Sequence, residues 1–336
     1  MLAGGKPTIL LPRPCDEGGE RNKVSVVDGA LRALELGGRL EVSDADTVCA
    51  AARAIFARHY PGEDLAPLAR AFADARRLYH GDYPGYRACD MAYHDLRHVL
   101  GVTLAMARLL DGYLRSHAGA ARFAFPQALL GIVVALFHDA GYIRRNGDTR
   151  RRLGAEYTRV HVSRSARFLA GYLPVLGLAA YAGAARRLVQ FTGYEQDPRI
   201  IRLGDARLRR LGQLIGSADI IAQMADPAYL DNCRDRLYPE FVLGGIAAAP
   251  DASGRLVVRY ADALDLLRQT PAFMEDAVAT RLDRVFEGVH RYVAVHFGGR
   301  NPYLQSIERQ RARLAEALQS ADVETLRRPF HVAGVA

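Results

Sequence analysis

The sequence predicts an all-α fold, with a continuous helical core over about 85–325 and a smaller N-terminal helical region packed on it. Apolar residues recur at helical spacing through almost all of the chain after residue 43. Only residues 256–260 resemble a strand, and that stretch is short. A chain of 336 residues that is 50% hydrophobic and 24% charged is typical of a globular protein with a sizeable core.

The N-terminal region, 1–84, contains an arm and two predicted helices. Glycine and proline recur over the first 42 residues, and 24–27 with 39–42 fit either a β-hairpin or a short helix. Ser43 followed by two early aspartates is a good N-cap with an acidic first turn, so we expect a helix to His59, ended by Pro61-Gly62. A second helix is predicted over 64–80.

The second predicted domain, 85–325, consists of helical segments with few interruptions. A looser region rich in proline and glycine lies at 239–254. The predicted helices cover about 92–117, 126–140, 154–171, 175–192, 205–225, 261–269, 271–296 and 303–320.

The distribution of charge and the spacing of the cysteines argue against two classes of site, a nucleic-acid surface and a site built from cysteines. The net charge is +8 and the pI about 9.4, but the only lysines are Lys6 and Lys23, and the arginines are spread over many segments. A nucleic-acid surface needs basic residues clustered on one face, so we favour a small anionic substrate over nucleic acid. The four cysteines form no CxxC pair, which argues against a structural zinc site or a disulfide framework.

Neither a signal-peptide pattern nor a membrane span is expected. The N-terminal apolar run is short, and the longest apolar runs fall below the roughly 18 residues that a span requires. We therefore expect a cytoplasmic protein that does not enter a membrane. A homodimer is compatible with the sequence, which does not set the oligomeric state.

Two histidines open the apolar stretch that follows residue 92. His94 and His98 are four residues apart, so on a helix they project from one face, one turn apart. Two imidazoles on one face can share a site. They can also be two ordinary surface histidines.

Two further acidic positions stand in apolar surroundings. His138 and Asp139 follow the nearly uniform apolar run 131–137, and Asp219 lies between alanine and isoleucines. Burying a carboxylate costs several kcal/mol unless a cation or strong hydrogen bonds offset it. Alternatively, the first pair reaches water at a helix end, and Asp219 belongs to an exposed stripe with Ser217 and Gln223.

Together, His98, His138, Asp139 and Asp219 provide two imidazoles and two carboxylates from helices that could converge. Mixed nitrogen and oxygen ligands of this kind suit divalent Fe, Mn, Zn or Mg, as one ion or two. A metal would offset the cost of burying the acids and would lower the pKa of a bound water.

This order of residues, H…HD…D, resembles the HD superfamily of metal-dependent phosphohydrolases. Tyr93-His94 with His98 is similar to the tyrosine-histidine motif of the class I cyclic-nucleotide phosphodiesterase branch. The resemblance covers about 85–225, with weaker likeness to about 310. It implies an HD-domain-like helical bundle and a phosphodiesterase or phosphomonoesterase that acts on a nucleotide or another small phosphate ester.

The resemblance also implies roles for individual residues. His98, His138, Asp139 and Asp219 would ligate the first metal, and Asp139 would bridge to a second ion. His94 would be the general acid that protonates the leaving oxygen, while a metal-bound hydroxide attacks phosphorus.

Departures from the family patterns leave the substrate open. Tyr142 stands where the phosphodiesterases have a histidine, and Asp95 stands where they usually have asparagine. The HD-GYP branch, which hydrolyses cyclic dinucleotides, carries a pair of adjacent histidines that 188–194 lacks.

Several other residues are candidates for substrate or second-metal contacts. Gln269 with Phe273 is similar to the glutamine and phenylalanine that clamp a purine in the phosphodiesterases, although the spacing is off by one. Glu156 or His161 could lie near a second metal, and each is equally well explained as a surface residue. The candidates for substrate contact are Arg97, Tyr142, His161 and Gln269, and Arg144 and Arg145 could also meet a phosphate.

Two other function classes compete with a hydrolase. One is a non-catalytic HD-type module that binds a nucleotide or metal and signals to a partner. The other is a basic helical protein that binds nucleic acid, with incidental histidines. The intact ligand set favours the enzyme, because a degenerate domain usually lacks one of the ligands.

Overall fold

A computed structural model describes residues 44–320 and 323–330 and confirms the all-α fold class. Ser43 and the segments 24–27 and 39–42 lie outside these residues. The described residues belong to one compact unit, Glu41–Ala336, so the helices on both sides of the predicted boundary at residue 84 lie in the same unit. Helices α1–α7 are Ala45–His59, Ala66–His80, Leu96–Ser116, Phe125–Phe137, His161–Tyr172, Ala182–Leu188 and Ala206–Ala225.

The C-terminal half of the described chain is built from shorter helices and one small sheet. Strands β1 (Ala248–Pro250) and β2 (Leu256–Val258) pair antiparallel, with Ala249 opposite Val257. The second strand confirms the short strand predicted at 256–260. Helices α8–α13 are Tyr229–Asn232, Tyr238–Leu243, Ala263–Asp276, Tyr292–His296, Pro302–Gln319 and Val323–Arg327.

Helix α3 lies at the centre of the bundle and packs against α1, α4, α7 and α11. Small residues allow these helices to approach closely. A Cβ at Gly112 would overlap the backbone of Tyr292 in α11, and one at Gly131 in α4 would press on Met106 and Leu211. The core thus brings α3, α4 and α7 together, and these three helices carry the histidines and aspartates of interest.

Aspartate caps set the starts of several helices, and one of them corrects the predicted start of α3. The carboxylate of Asp95 accepts a hydrogen bond from the His98 backbone N–H at 3.0 Å, so α3 begins at Leu96 and not at 92. His94 therefore precedes the helix, and the expected one-turn spacing of His94 and His98 on a helical face is wrong. Their rings still lie 5.6 Å apart. Similarly, Asp44 caps α1 where Ser43 was predicted.

Several predicted helices are shorter or less regular in the structure. Helix α4 ends at Phe137 and a 3₁₀ turn follows at Ala140–Tyr142. The predicted helix 154–171 divides into a 3₁₀ segment, Gly154–Val160, and α5. Over 175–192 only α6 is α-helical, because Gly177 at φ 73° ends the preceding turn.

The predicted break at Pro271 is also wrong. Helix α10 continues through Pro271, although a proline in a helix interior removes one backbone donor and crowds the preceding turn. The region rich in proline and glycine, 239–254, contains most of α9 and all of β1.

One stretch, Gly119–Phe137, does reach the length and hydropathy of a membrane span, contrary to the expectation from the sequence. Its continuous α-helix is only the 13 residues of α4, about 20 Å long, against about 30 Å for a bilayer core. Of this stretch, 67% is buried inside the protein. We therefore interpret α4 as a buried helix of the protein core.

Candidate metal centre

Three helices bring the four predicted ligands together. His98 lies in the first turn of α3, His138 and Asp139 follow the end of α4, and Asp219 lies in α7. His138 and Asp139 are each only 2% exposed. We call these four residues the metal centre.

The donor atoms of the metal centre face one another. The Nε2 atoms of His98 and His138 lie 3.3 and 3.2 Å from Oδ2 of Asp139. Oδ1 of Asp219 lies 3.6 and 3.7 Å from the same two nitrogens. The donor atoms of His98, His138 and Asp139 all lie within 4.8 Å of one another, which is a grouping that could hold a metal ion.

A divalent cation fits these residues, because the centre contains a buried acceptor without a donor. Oδ2 of Asp139 is buried and has no hydrogen-bond partner among the described residues. Nδ1–H of His138 donates to the Ala135 carbonyl at 2.7 Å, which in the neutral ring leaves Nε2 as a free acceptor aimed at the centre. Two imidazole nitrogens and two carboxylates suit the borderline and hard divalent metals.

Electrostatics at the centre favour positive charge. Burial opposes protonation of His138, but the adjacent Asp139 outweighs it and raises the pKa of His138 to about 9. Burial likewise opposes ionisation of Asp139, and the neighbouring His138 imidazolium holds the pKa of Asp139 well below its ordinary value. A metal would replace the proton on His138 as the positive partner of these acids.

His94 reaches the centre from the loop before α3, and it has a partner that the sequence analysis missed. Its Nδ1–H donates to Oε2 of Glu240 at 2.6 Å, and Oε1 of Glu240 accepts the backbone N–H of Tyr93 at 2.6 Å. Glu240 is 3% exposed. Burial lowers the pKa of His94, but the hydrogen bond from His94 to Glu240 outweighs this and raises it. Glu240 is 146 residues away, so no local spacing indicated it.

His161 and Tyr142 form a second layer around the centre. Tyr142 is 2% exposed, and its ring is stacked between His94 and His161 at centroid distances of 4.7 and 4.4 Å. Nδ1–H of His161 donates to the Thr158 carbonyl, and its Nε2 lies 3.7 Å from Oδ1 of Asp139. The two oxygens of Asp139 thus face different histidines.

Other predicted site residues have partners of their own. Arg97 lies 3.7 Å from Asp226, and the amide of Gln269 donates to the Arg259 carbonyl. Within the described part of the chain, no recorded contact joins Arg97 or Gln269 to the metal centre. Glu156 accepts hydrogen bonds from the backbone N–H groups of residues 152 and 153, and Arg144 pairs with Asp90 at 3.2 Å.

Comparisons with known proteins do not assign the chain to a family. No protein-family model matches the sequence, and a search of curated proteins gave no significant match. The function is therefore inferred from the geometry of the site.

Proposed function

We propose that this chain is a metal-dependent phosphohydrolase of the HD type, with His98, His138, Asp139 and Asp219 as the metal ligands. One observation carries the proposal. Oδ2 of Asp139 is buried without a hydrogen-bond partner among the described residues, and it faces two imidazoles that the carboxylate of Asp219 also approaches. A divalent cation is the partner that suits this donor set.

The chain's own residues supply binding, orientation and a proton. A bound divalent metal would provide a Lewis acid for the phosphate ester and an activated water at neutral pH. His94 holds its Nδ1 proton on Glu240, so its Nε2 can carry the proton that the leaving oxygen takes. Glu240 orients the imidazole and stabilises its charged form, and stacking on Tyr142 fixes the plane of the ring.

A nucleotide or another small phosphate ester with a planar group is the proposed substrate. Glu195 lies 4.0 Å from Nδ1 of His161, which places the loop that holds Tyr194 close to the centre. Tyr194 is 62% exposed and its ring lies 6.4 Å from that of Phe273, which is 39% exposed. Exposed aromatic rings of this kind offer a stacking surface to a base.

The His94–Glu240 pair distinguishes a hydrolase from a module that only binds. A binding module needs the four ligands but gains nothing from a histidine whose pKa a buried carboxylate raises. We therefore favour catalysis over a signalling role.

The test is hydrolysis by protein loaded in turn with Mn, Fe, Zn or Mg, with bis(p-nitrophenyl) phosphate as the diester and p-nitrophenyl phosphate as the monoester. We expect turnover of at least one substrate. We expect His94→Gln to keep its metal and to lower kcat by about 10²- to 10⁴-fold, as for the loss of a general acid.

A matched control is His80→Gln. His80 is exposed at the end of α2, and its Nδ1–H donates to the carbonyl of Arg76 in the preceding turn. The His80→Gln substitution should therefore leave kcat unchanged. Full activity in His94→Gln would refute the general-acid role, and no hydrolysis by metal-loaded wild type would refute the proposed function.

A further inference from the structure

A cavity of about 780 Å³ opens beside the turn Ala140–Tyr142, which directly follows Asp139 of the metal centre. Its volume is typical of sites for small organic ligands. Its lining includes Tyr86, Gly141, Arg145, Arg150, Arg164 and Arg167, and we call it the arginine pocket. The four residues of the metal centre do not line it.

Positive charge in the arginine pocket exceeds the negative charge. Four guanidinium groups meet one carboxylate, that of Asp148. That carboxylate already accepts hydrogen bonds from the hydroxyl of Tyr157 at 2.5 Å and from Nε of Arg150 at 3.3 Å. Arg164 lies 4.0 Å from it and is only 13% exposed.

Two of the four arginines lack an acidic partner. Within the part of the chain that the structure describes, no carboxylate lies within ion-pair distance of Arg145 or Arg167. The guanidinium of Arg145 lies over the ring of Tyr86 at 5.6 Å. Burial lowers the pKa of Arg164, Tyr157 and Asp148 oppose this shift, and repulsion from the like charges of Arg167 and Arg150 adds to it. An anion bound among them would relieve this repulsion.

We propose that the arginine pocket binds a phosphate-bearing small molecule of nucleotide size, at a site separate from the metal centre. Arginine suits this ligand because its planar guanidinium forms paired hydrogen bonds with phosphate oxygens. Arg145 and Arg167 supply free donors at the exposed side, and Arg164 supplies a fixed charge at the inner wall.

The inner wall is rigid because Arg164 and Ser165 hold the turn behind it. Arg164 donates from Nε to the Gly141 carbonyl at 2.5 Å and from Nη2 to the Ile143 carbonyl at 3.1 Å. The Gly141 N–H donates to the hydroxyl of Ser165 at 2.8 Å. A Cβ at position 141 would overlap the backbone of His161, so only glycine fits there. The pocket is therefore preformed.

The test is isothermal titration calorimetry on the full chain after metal has been removed with EDTA. The probes are inorganic pyrophosphate, ATP and adenosine. We expect pyrophosphate and ATP to bind, with an affinity that falls as salt is added, and adenosine not to bind. Because no metal is present, the result does not depend on the proposed hydrolase function.

Variants locate the binding. Arg167→Gln and Arg150→Gln should each weaken pyrophosphate binding about tenfold, as expected for the loss of one charge-assisted hydrogen bond. The matched control is Arg199→Gln, because Arg199 pairs with Asp197 two residues earlier just as Arg150 pairs with Asp148, but Arg199 does not line the pocket. It should bind as wild type does.

Three outcomes would overturn the proposal. Pyrophosphate and ATP could both fail to bind at millimolar concentration. Both could bind equally well to wild type, Arg150→Gln and Arg167→Gln. Finally, a single-stranded oligonucleotide could bind while the small phosphates do not, which would identify the arginines as a nucleic-acid surface.

Discussion

Two buried clusters in this protein use the same residue types in different ways. In the metal centre, imidazoles of His98 and His138 face Asp139. In the second cluster, which we call the Asp111 cluster, Asp111 in α3 meets His59 of α1 and His296 of α11. Asp111 is fully buried, as Asp139 nearly is.

The clusters differ in whether the protein itself satisfies the carboxylate. Nε2 of His59 lies 2.7 Å from Oδ1 of Asp111, and Nδ1 of His296 lies 2.8 Å from Oδ2. Arg58 and Arg115 add one longer contact to each oxygen. At the metal centre, by contrast, the closest imidazole nitrogens stay 3.2 Å or more from Asp139, and Oδ2 has no hydrogen-bond partner among the described residues.

This difference separates a structural cluster from a binding site. Hydrogen bonds around Asp111 join three helices, and each of its carboxylate oxygens has a donor. At the metal centre, Oδ2 of Asp139 has no hydrogen-bond partner among the described residues, and the imidazole nitrogens around it leave a polar space that a cation can fill. A histidine near an aspartate is therefore weak evidence for a metal site. The stronger evidence is whether each oxygen of the carboxylate already has a hydrogen-bond donor.

The largest expected effect is on stability at the Asp111 cluster. Asp111→Ala should lower the free energy of unfolding by about 3–5 kcal/mol, because the buried histidines and two arginines lose their counter-charge. Urea unfolding measures this. Asp205→Asn, at the partly exposed N-cap of α7, should cost less than about 0.5 kcal/mol, because asparagine caps a helix as well as aspartate does. A similar small loss for Asp111→Ala would contradict the comparison.

Metal should stabilise the protein only through the metal centre. At a free metal concentration 100 times Kd, the free energy of unfolding should rise by about 2.7 kcal/mol in wild type and in Asp205→Asn. Asp219→Asn should show little or no increase. Thermal unfolding with and without Mn²⁺ measures the effect, and equal stabilisation of Asp219→Asn would show that the metal binds elsewhere.

Glu240 should act on activity through His94. Glu240→Gln should lower kcat about tenfold, less than His94→Gln, because the histidine remains but is less well oriented and less basic. The alkaline limb of the kcat profile should also move to lower pH, since a neutral amide no longer raises the pKa of His94. An unchanged profile would show that Glu240 has only a structural role.

The smallest effect is a pH dependence that belongs to the Asp111 cluster. Burial raises the pKa of Asp111, but hydrogen bonds from His296 and His59 outweigh it and hold the pKa below its ordinary value of 3.8. The stabilisation is therefore complete above about pH 4 and is lost as the pH falls further, by at most about 1.4 kcal/mol per pH unit. Asp111→Asn should flatten this acid slope, and urea unfolding between pH 2.5 and 5 should show it.

The fold was largely predictable because long periodic segments decide it. Helices α3, α7 and α12 have continuous apolar stripes, and their predicted positions agree with the structure to within a few residues. Short 3₁₀ turns around α6 were not predictable, since periodicity over a few residues does not separate them from an α-helix. The cap at Asp95 was readable as a start signal, although the histidine spacing suggested an earlier start.

The site was predictable only where its residues carry a local signal. The order of these residue types along the chain and their apolar neighbours indicated the four ligands, His98, His138, Asp139 and Asp219. Glu240 meets His94 across 146 residues, and Asp111 meets His296 across 185. Such pairings depend on how helices pack, which a single sequence does not state.

The most direct test of the metal centre is elemental analysis of purified wild type, Asp219→Asn and Asp205→Asn, after reconstitution and removal of free metal. Asp205 caps the N-terminus of α7 and Asp219 lies within that helix, with its Oδ1 facing the imidazoles of His98 and His138. We predict stoichiometric metal in wild type and in Asp205→Asn, and its loss in Asp219→Asn. Wild type without metal, or Asp219→Asn with the same metal content, would contradict the account.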